Sequence, residues 1–373
     1  MKKKEPLFRV VKRQEGSGLR LALIYVIAVV LALGVGALLL SSQGVPPLQF
    51  YRDMITMGMV GSRYPARVLE GFIRLFIPLF LTSLALALAF KMRFWNIGGE
   101  GQFIMGALCA GAAAYKLGNL LPQPVMLLVL AVCGIVGGGL YGLIVAVLKV
   151  KFGTNETLLT LMLNYIAIYL LLFVGETKAG WNFFLSEESA RPIFARFPEN
   201  AGMITFRIGS FHLNLSLIIA LVIGILMFVY LRYTKQGYEI AVVGDSPKTA
   251  HYAGIKVNRV IIRTVFLSAA LIGLAGAFSV SSAGTLSTSV TNDVGWTGIV
   301  VAWLSKLNTV GILLTSLLIT VLQFGCQAAS TSYPTIDANF ADLLQGIILF
   351  VVLAADFFIQ FKIVFRGKGA SEK

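Results

Sequence analysis

The sequence lacks the short motifs of the common nucleotide-hydrolysing, serine-hydrolase and zinc-protease sites. No Gly-x-x-x-x-Gly-Lys-Ser/Thr loop, no Gly-x-Ser-x-Gly elbow and no His-Glu-x-x-His pair occurs. Histidine is scarce as well, because His212 and His251 are the only two and both fall in predicted loops. A membrane-embedded enzyme is therefore disfavoured, and any energy from ATP would have to enter through another chain.

The cysteines indicate neither a disulfide framework nor a zinc site. The three cysteines, Cys109, Cys133 and Cys326, lie inside predicted apolar spans and have no paired spacing. Disulfide frameworks and zinc sites are recognised by cysteines at defined spacings, so neither is indicated. We expect no metal, no catalytic residue and no cofactor on this chain.

Charge is the third scarce feature, since charged residues are 13% of the chain and hydrophobic ones 57%. A soluble domain of 373 residues could not hide so much apolar surface. Glycine is abundant, at 38 residues, and Gly134, Gly138 and Gly142 form a ladder typical of close helix packing. The composition predicts an all-α, polytopic membrane protein.

Apolar runs indicate about ten transmembrane helices. Nine runs are long enough, or nearly long enough, to cross a bilayer. They lie near residues 20–40, 72–90, 102–118, 125–148, 156–175, 215–231, 261–281, 309–328 and 341–360. A tenth, shorter run from Trp296 to Leu304 is either a short span or a re-entrant half-helix that faces protein or a cavity.

Positive charge sets the orientation of these spans. With ten crossings and an inside N-terminus most of the 31 basic residues fall inside, whereas nine crossings would leave the basic tail outside. This predicts a basic cytoplasmic N-terminus at 1–20, a transmembrane domain at 21–360 and a basic cytoplasmic tail at 361–373. Residues 176–213 would be external and 232–260 cytoplasmic. The net charge of +14 then reflects topology and contact with membrane lipid, and no nucleic-acid partner is needed.

The first apolar run follows a basic segment, as the core of a secretory signal does. Its length of about twenty residues exceeds a signal core, and no clear small-x-small cleavage site follows it. We interpret it as a retained anchor.

One polar, basic, turn-rich insert, Thr234–Ile255, interrupts the apolar sequence. Its second half predicts a short helix, with Asp245 or Ser246 as N-cap, Pro247 at the first helical position and Gly254 as the left-handed stop. A helix of about two turns is marginal in water and needs packing against something. The alternative is an ordinary solvated cytoplasmic loop.

Two small residues of this short helix, Ala250 and Ala253, suit insertion into a groove of a partner protein. The insert is therefore the predicted meeting point between this membrane protein and something soluble.

A second polar stretch, Arg93–Gln102, joins two apolar runs and contains Asn96, Glu100, Gln102 and three glycines. Glycine permits tight or unwound backbone, and Glu100 lies where the next helix begins, so the helix dipole favours its negative charge. Two interpretations remain open. One is a tight cytoplasmic turn capped by Glu100, and the other is an unwound segment whose polar groups line a pathway.

A third polar feature is a stripe on one face of an apolar span. Asn155, Glu156, Thr160 and Asn164 recur at helical spacing. Polar groups inside a membrane usually face the protein interior. The stripe predicts either interhelical hydrogen bonds or contact with a transported substrate or a gate.

These segments together resemble a known family. The insert Thr234–Ile255, with its spaced Gly-Tyr-Glu, Gly-x-Ser and Ala-Gly-Ile steps, resembles the signature loop of ABC-importer permeases of the branched-chain amino acid, simple sugar and nucleoside group. The resemblance continues in Phe94–Gln102, Thr154–Tyr165 and Gly298–Asn308. It covers most of the chain from about residue 70 onward.

The resemblance implies a fold like that of a type II ABC importer, in which this loop contacts the ATPase. ATP and Mg²⁺ would then be bound by that separate chain. The residues of this sequence that match the loop, and would carry the contact, are Gly237, Gly244, Asp245, Pro247, Ala250, Ala253 and Gly254. The chain departs from the group at Ile240 or Ala241, where members commonly carry arginine, and near Asp245, where they carry asparagine.

The Asn-Ile-Gly-Gly-Glu-Gly-Gln and Leu-Met-Leu-Asn-Tyr stretches resemble in particular the longer permease subunit of bacterial nucleoside importers. The implied partners are a second permease subunit, an ABC ATPase and a substrate-binding lipoprotein, in the bacterial cytoplasmic membrane. The substrate-pathway candidates are Asn96, Glu100, Gln102, Asn155, Glu156 and Asn164, with Asn292 or Asp293 as further ones.

Two other functions remain as alternatives. The same importer class carries simple sugars or branched-chain amino acids. An ion-coupled secondary transporter would place acidic or histidine residues within its spans, and here only Asp356 lies well inside an apolar run.

Overall fold

The computed structural model describes residues 8–12, 18–56, 64–336 and 339–365. The helices are α1 (Gly18–Ser42), α2 (Pro47–Ile55), α3 (Pro65–Lys91), α4 (Gly99–Leu117), α5 (Gln123–Phe152), α6 (Glu156–Glu176), α7 (Leu215–Tyr233), α8 (Lys235–Asp245), α9 (Pro247–Tyr252), α10 (Val257–Ala283), α11 (Val294–Leu304), α12 (Thr309–Ser330) and α13 (Phe340–Gln360). The strands are β1 (Phe8–Lys12), β2 (Thr205–Ile208), β3 (Phe211–Asn214) and β4 (Phe361–Phe365).

All ten predicted apolar runs coincide with helices, and the protein is a mostly helical polytopic membrane protein. Among the described residues, six helices are long and apolar enough to cross a membrane: α3, α5, α6, α7, α10 and α12. A seventh span results if α1 and α2, which are bent by 115°, are counted together. Helix α11 and the described part of α13, Asp342–Val352, are apolar but shorter. The number of ten therefore stays a prediction.

The prediction of an all-α chain was wrong in one respect, because two short antiparallel strand pairs are present. β2 pairs with β3 across a turn at Gly209, which has a φ of +65°. β1 pairs with β4, so that Phe8 lies opposite Phe365 and Lys12 opposite Phe361. Strands of four or five residues outside the spans carry no apolar run, so the hydropathy pattern could not find them. His212 accordingly lies in β3 and His251 in α9, not in loops.

The chain forms two compact units. The terminal unit consists of Met1–Val60 and Gly325–Lys373, and the central unit of Gly61–Phe324. In the terminal unit α1 packs against α13. Much of the predicted N-terminus 1–20 and tail 361–373, and the side chain of Asp356, lie outside the described residues.

In the central unit α4, α5 and α10 pack backbone against backbone. A methyl group added at Gly134 or Gly138 would collide with Gly273, and one at Gly142 with Ala269. The predicted packing role of the glycine ladder is confirmed, and its partner is α10.

Candidate functional site

The polar insert folds as two consecutive helices. Its first half, predicted only as part of a turn-rich segment, is α8, whose N-cap Thr234 accepts a hydrogen bond through Oγ1 from the Gly237 amide at 3.1 Å. Ser246 is the N-cap of α9 and accepts from the Thr249 amide at 3.2 Å. Asp245 is the last residue of α8, so of the two predicted N-caps Ser246 is the correct one.

The predicted ends of the short helix are confirmed. Pro247 is its first residue, and Gly254, just beyond its end, has a φ of +76°. A β-branched side chain is strongly disfavoured at that φ, so the turn depends on glycine.

The two helices are fixed to their own bundle. Ile240, Val243 and Ala250 are fully or almost fully buried in one apolar cluster that includes Met92 and Phe94, which follow α3. Arg263 of α10 donates to Glu239 of α8 at 3.1 Å. The insert is therefore a rigid attachment to α3 and α10.

Two glycines allow the backbone contacts on which this seating depends. A methyl group at Gly244 would collide with the carbonyl of Lys91, the last residue of α3, and one at Gly237 with the carbonyls of Tyr230 and Leu231. The backbone of α8 thus rests directly on the ends of α3 and α7.

The two alanines that were predicted to enter a groove of a partner protein differ in their exposure. Ala250 is 0% exposed and packs inside this chain, so it is not available to a partner. Ala253 lies beyond the end of α9 and is exposed. Pro247 and Asp245 are exposed as well.

A buried amide pair lies at the start of α4. Asn96 and Gln102 exchange two hydrogen bonds through their side-chain amides, each 3.0 Å long, and both residues are at most 2% exposed. Oδ1 of Asn96 also accepts from the Gly98 amide at 3.0 Å. This arrangement holds the non-helical segment between α3 and α4 in one conformation.

Helix α6 braces the same segment. Asn164 donates to the carbonyl of Ile97 and accepts from the Gly101 amide, both at 2.8 Å. Thr160 accepts from the Ile97 amide at 3.2 Å. Half of the polar stripe therefore forms interhelical hydrogen bonds.

The other half of the stripe marks the beginning of α6. Asn155 is the N-cap and accepts from the amides of Thr157 and Leu158. Glu156 pairs with Lys149 of α5 at 2.6 Å. Both residues lie at the helix end, away from the buried amide pair.

Glu100 connects two helices that are far apart in the sequence. It lies in the first turn of α4, is 2% exposed, and accepts from the amides of Gly295 at 2.8 Å and Trp296 at 3.3 Å. Those amides belong to the first turn of α11, whose dipole favours a negative charge at that point. The carboxylate thus caps α11 from another helix.

Helix α11 begins beside the first turn of α4. Leu286 packs at Gly111 of α4, whereas Gly295 packs at Gly99. The non-helical segment 284–293 therefore runs along α4 from Gly111 back to Gly99. Gly99 and Gly111 lie in the same helix, and at 1.5 Å per residue the distance between them is about 18 Å. Asn292 and Asp293, at the end of this segment next to α11, are exposed and have positive φ values of 43° and 56°.

Unusual backbone conformations surround this short helix. Among the described residues, five non-glycine residues have positive φ: Arg93, Asn292, Asp293, Lys306 and Leu307. They flank both ends of α11 and the turn after α3 on which it packs. Such strained positions are common in segments that change conformation.

Three tryptophans line the exposed side of this region. Trp296 and Trp303 lie on one face of α11, and Trp303 stacks on Trp95 with ring centroids 5.3 Å apart and planes 19° apart. Trp95, Trp296 and Trp303 are 46%, 38% and 38% exposed. Trp303 was not singled out from the sequence, because a single tryptophan in an apolar run gives no sign of its partner.

Replacing Asn164 tests the bracing of the segment after α3. We expect Asn164→Leu to impair transport by more than tenfold, because the Ile97 carbonyl and the Gly101 amide would lose their partners at a cost of about 1–3 kcal/mol each. Asn164→Asp keeps the acceptor for Gly101 and should retain more activity. Uptake and assembly are measured together, and equal uptake by wild type and Asn164→Leu would contradict the bracing role.

Comparison with known proteins identifies a family. Residues 68–353 match the family described as branched-chain amino acid transport system / permease component. The nucleoside ABC transporter permease protein NupB of Lactococcus lactis subsp. cremoris is 29% identical, over 91% of this chain and 93% of that protein. The guanosine ABC transporter permease protein NupP of Bacillus subtilis is 28% identical, over 94% and 98%.

A relative with a different named substrate is similar to nearly the same extent. The glucose ABC transporter permease protein TsgB13 of Haloferax volcanii is 26% identical, over 91% of this chain and 88% of that protein. The family match covers most of the chain, and the multi-pass helical fold fits it. This chain belongs to the family of permease components of branched-chain amino acid transport systems.

Proposed function

We propose that this chain is a translocation subunit of an ATP-driven importer and that its substrate is a nucleoside. The observation that carries the transport proposal is the polar, exposed start of α11, at a depth about 18 Å from Gly111 along α4. A polar side chain at such a depth is unfavourable against lipid, so Asn292 and Asp293 would face a water-filled pathway or a second permease subunit.

The proposed pathway follows the exposed face of α11. Asn292 also lines a cavity of about 170 Å³ with Arg74, Ser279 and Ser282, at the point where α11 begins. Further along α11 its exposed face carries Trp296 and then Trp303, whose ring stacks on that of Trp95. Aromatic rings bind planar rings by offset stacking, which suits a nucleobase.

In this pathway Asn96, Gln102, Glu100 and Asn164 act as positioning residues. Their hydrogen bonds are made within the chain, and they hold the segment after α3 and the first turn of α11. Asn155 and Glu156 would contribute only if the start of α6 moves.

Nucleosides are the preferred substrate class because two relatives similar over nearly their full length are named for nucleoside or guanosine transport. Simple sugars are the second candidate, since a glucose permease is almost as similar. Uptake by a strain without its own nucleoside carriers separates the two. Competition by adenosine or uridine but not by glucose or leucine is expected, and the reverse pattern would overturn the nucleoside assignment.

The proposed coupling runs from the exposed surface of α9 into the bundle. An ATPase that binds there would move α8 and α9, and because Gly244 rests on Lys91 the end of α3 would move with them. Met92 and Phe94, in the same apolar cluster, lead to the Asn96–Gln102 pair. ATP can drive this change only if it binds the two conformations of the complex with different affinity.

The proposed partners are a second permease subunit, an ABC ATPase that binds ATP and Mg²⁺, and a substrate-binding lipoprotein. The family assignment supports an assembly of this kind. An ion-coupled transporter is the less favoured alternative, because the buried acid Glu100 is already engaged by two backbone amides.

We further propose that both termini are cytoplasmic in a bacterial cytoplasmic membrane. The pairing of β1 with β4 supports an even number of crossings, because it requires the two ends of the chain to lie on the same side. The exposed residues Glu187 and Lys248 provide a matched test of orientation. In a cysteine-free background, Glu187→Cys should react with an impermeant thiol reagent in intact cells and Lys248→Cys should not. Reaction at position 248 alone would reverse the orientation.

A further inference from the structure

A cationic cavity lies at the end of the central unit that carries α8. It measures about 490 Å³ and is lined by the ends of α3 and α7 and by the loop that enters α12. Three of its residues, Lys91, Arg232 and Lys306, are positively charged, and none of the lining residues that the structure describes is acidic. The remaining lining residues are Phe228, Leu231, Leu307, Asn308 and Thr309.

Two of the three cations of this cavity are not paired with an acid in the part of the chain that the structure describes. Lys91 and Arg232 form no ion pair with any carboxylate among the described residues. The guanidinium of Arg232 instead lies over the rings of Phe228 and Tyr233, 5.7 and 5.8 Å from their centroids. Lys91 and Arg232 therefore bring positive charge to the cavity that no carboxylate among the described residues compensates.

Two features of the backbone add to this charge. Helix α12, of 22 residues, begins at Thr309 in the cavity wall, and the positive end of its dipole lies there. Lys306 and Leu307, just before it, have positive φ values of 52° and 58°. A loop held in this conformation keeps Lys306 at the cavity while the chain turns into α12.

The surroundings of the cavity are those of a membrane interface. On the adjoining part of α7, Ile225, Leu226 and Val229 are 65%, 60% and 42% exposed. An apolar exposed helix face that ends in a cluster of cations fits the acyl chains and the headgroup of one molecule. A basic cavity between transmembrane helices on the cytoplasmic side is a typical site for anionic lipid headgroups.

We propose that this cavity binds the phosphodiester headgroup of an anionic phospholipid, with the acyl chains lying along α7. Lys91, Arg232 and Lys306 contact the phosphate, and Leu231 and Phe228 contact the glycerol and the first methylene groups. This proposal does not depend on which substrate is carried.

The test is lipid binding by the purified importer complex, measured by native mass spectrometry after incubation with equal amounts of phosphatidylglycerol and phosphatidylcholine. Wild type should retain phosphatidylglycerol selectively. Each cation near an anionic surface contributes roughly a factor of five to binding, so Lys91→Gln, Arg232→Gln and Lys306→Gln together should weaken it roughly a hundredfold.

The matched control removes the same number and type of charges from exposed positions outside the cavity. The triple variant Lys151→Gln, Lys235→Gln, Arg259→Gln should bind phosphatidylglycerol as wild type does. If the cavity triple variant does not assemble, the single variant Arg232→Glu tests the proposal and should lose phosphatidylglycerol. Arg232 is exposed, so this substitution puts an acid into the cavity without disturbing buried packing.

Three outcomes would overturn the proposal. One is equal retention of phosphatidylcholine, and the second is an equal loss of lipid in the control triple variant. The third is displacement of phosphatidylglycerol by millimolar inorganic phosphate, which would make the cavity a site for free phosphate.

Discussion

Glu100→Leu should abolish transport while leaving most of the complex assembled. The first-turn amides of Gly295 and Trp296 would lose the carboxylate that accepts from them, and this carboxylate belongs to a residue that is 2% exposed. Each unpaired buried donor costs about 1–3 kcal/mol, and 1.4 kcal/mol corresponds to about a tenfold change in an equilibrium. Helix α11 would therefore shift or fray at the point where the proposed pathway begins.

Glu100→Gln is the control for this substitution. Its side-chain carbonyl oxygen still accepts from the same amides, and it removes the cost of a buried charge. We expect transport within a few-fold of wild type, measured as initial uptake rates at equal amounts of purified complex. If Glu100→Gln is as inactive as Glu100→Leu, the charge itself is required, and the ion-coupled alternative gains support.

The second large effect is expected at Ala250 and Ala253 of the insert Thr234–Ile255, for which we propose contact with the ATPase. Ala253→Trp adds a large side chain on the exposed surface, so the chain should fold and insert but fail to bind the ATPase closely. Ala250→Trp puts the same side chain into a position that is 0% exposed, so it should disrupt folding of α8 and α9.

Thermal stability of the purified permease and its co-purification with the ATPase separate these effects. Ala253→Trp should keep wild-type stability and lose at least tenfold of the substrate-stimulated ATP hydrolysis. Ala250→Trp should lower the stability before any ATPase is added. Wild-type coupling in Ala253→Trp would mean that this surface is only solvated.

The sequence predicts the helices well, because a membrane-spanning helix must be a continuous apolar run. All ten runs lie in helices, and the short run Trp296–Leu304 is indeed a short helix, α11. The ends of α9 were also predictable, since Pro247 and Gly254 have conformational preferences that act locally.

Contacts between residues that are far apart in the chain could not be predicted from the sequence pattern. The acid Glu100 suggested a cap for α4, but nothing in the pattern links it to Gly295, which is far away in the chain and meets it only in the folded bundle. Ala250 and Ala253 look alike as small residues near one helix end. Their burial differs because α9 ends at Tyr252, which leaves Ala253 outside the packed face.

ATP-dependent accumulation of a labelled nucleoside in proteoliposomes tests the central claim most directly. The complex is reconstituted with the ATPase and the substrate-binding component, and ATP is supplied only on the side that carries α8 and α9. We predict accumulation of guanosine or uridine that stops without ATP and is lost in Ala253→Trp. Accumulation that follows a proton or sodium gradient and ignores ATP would contradict the account.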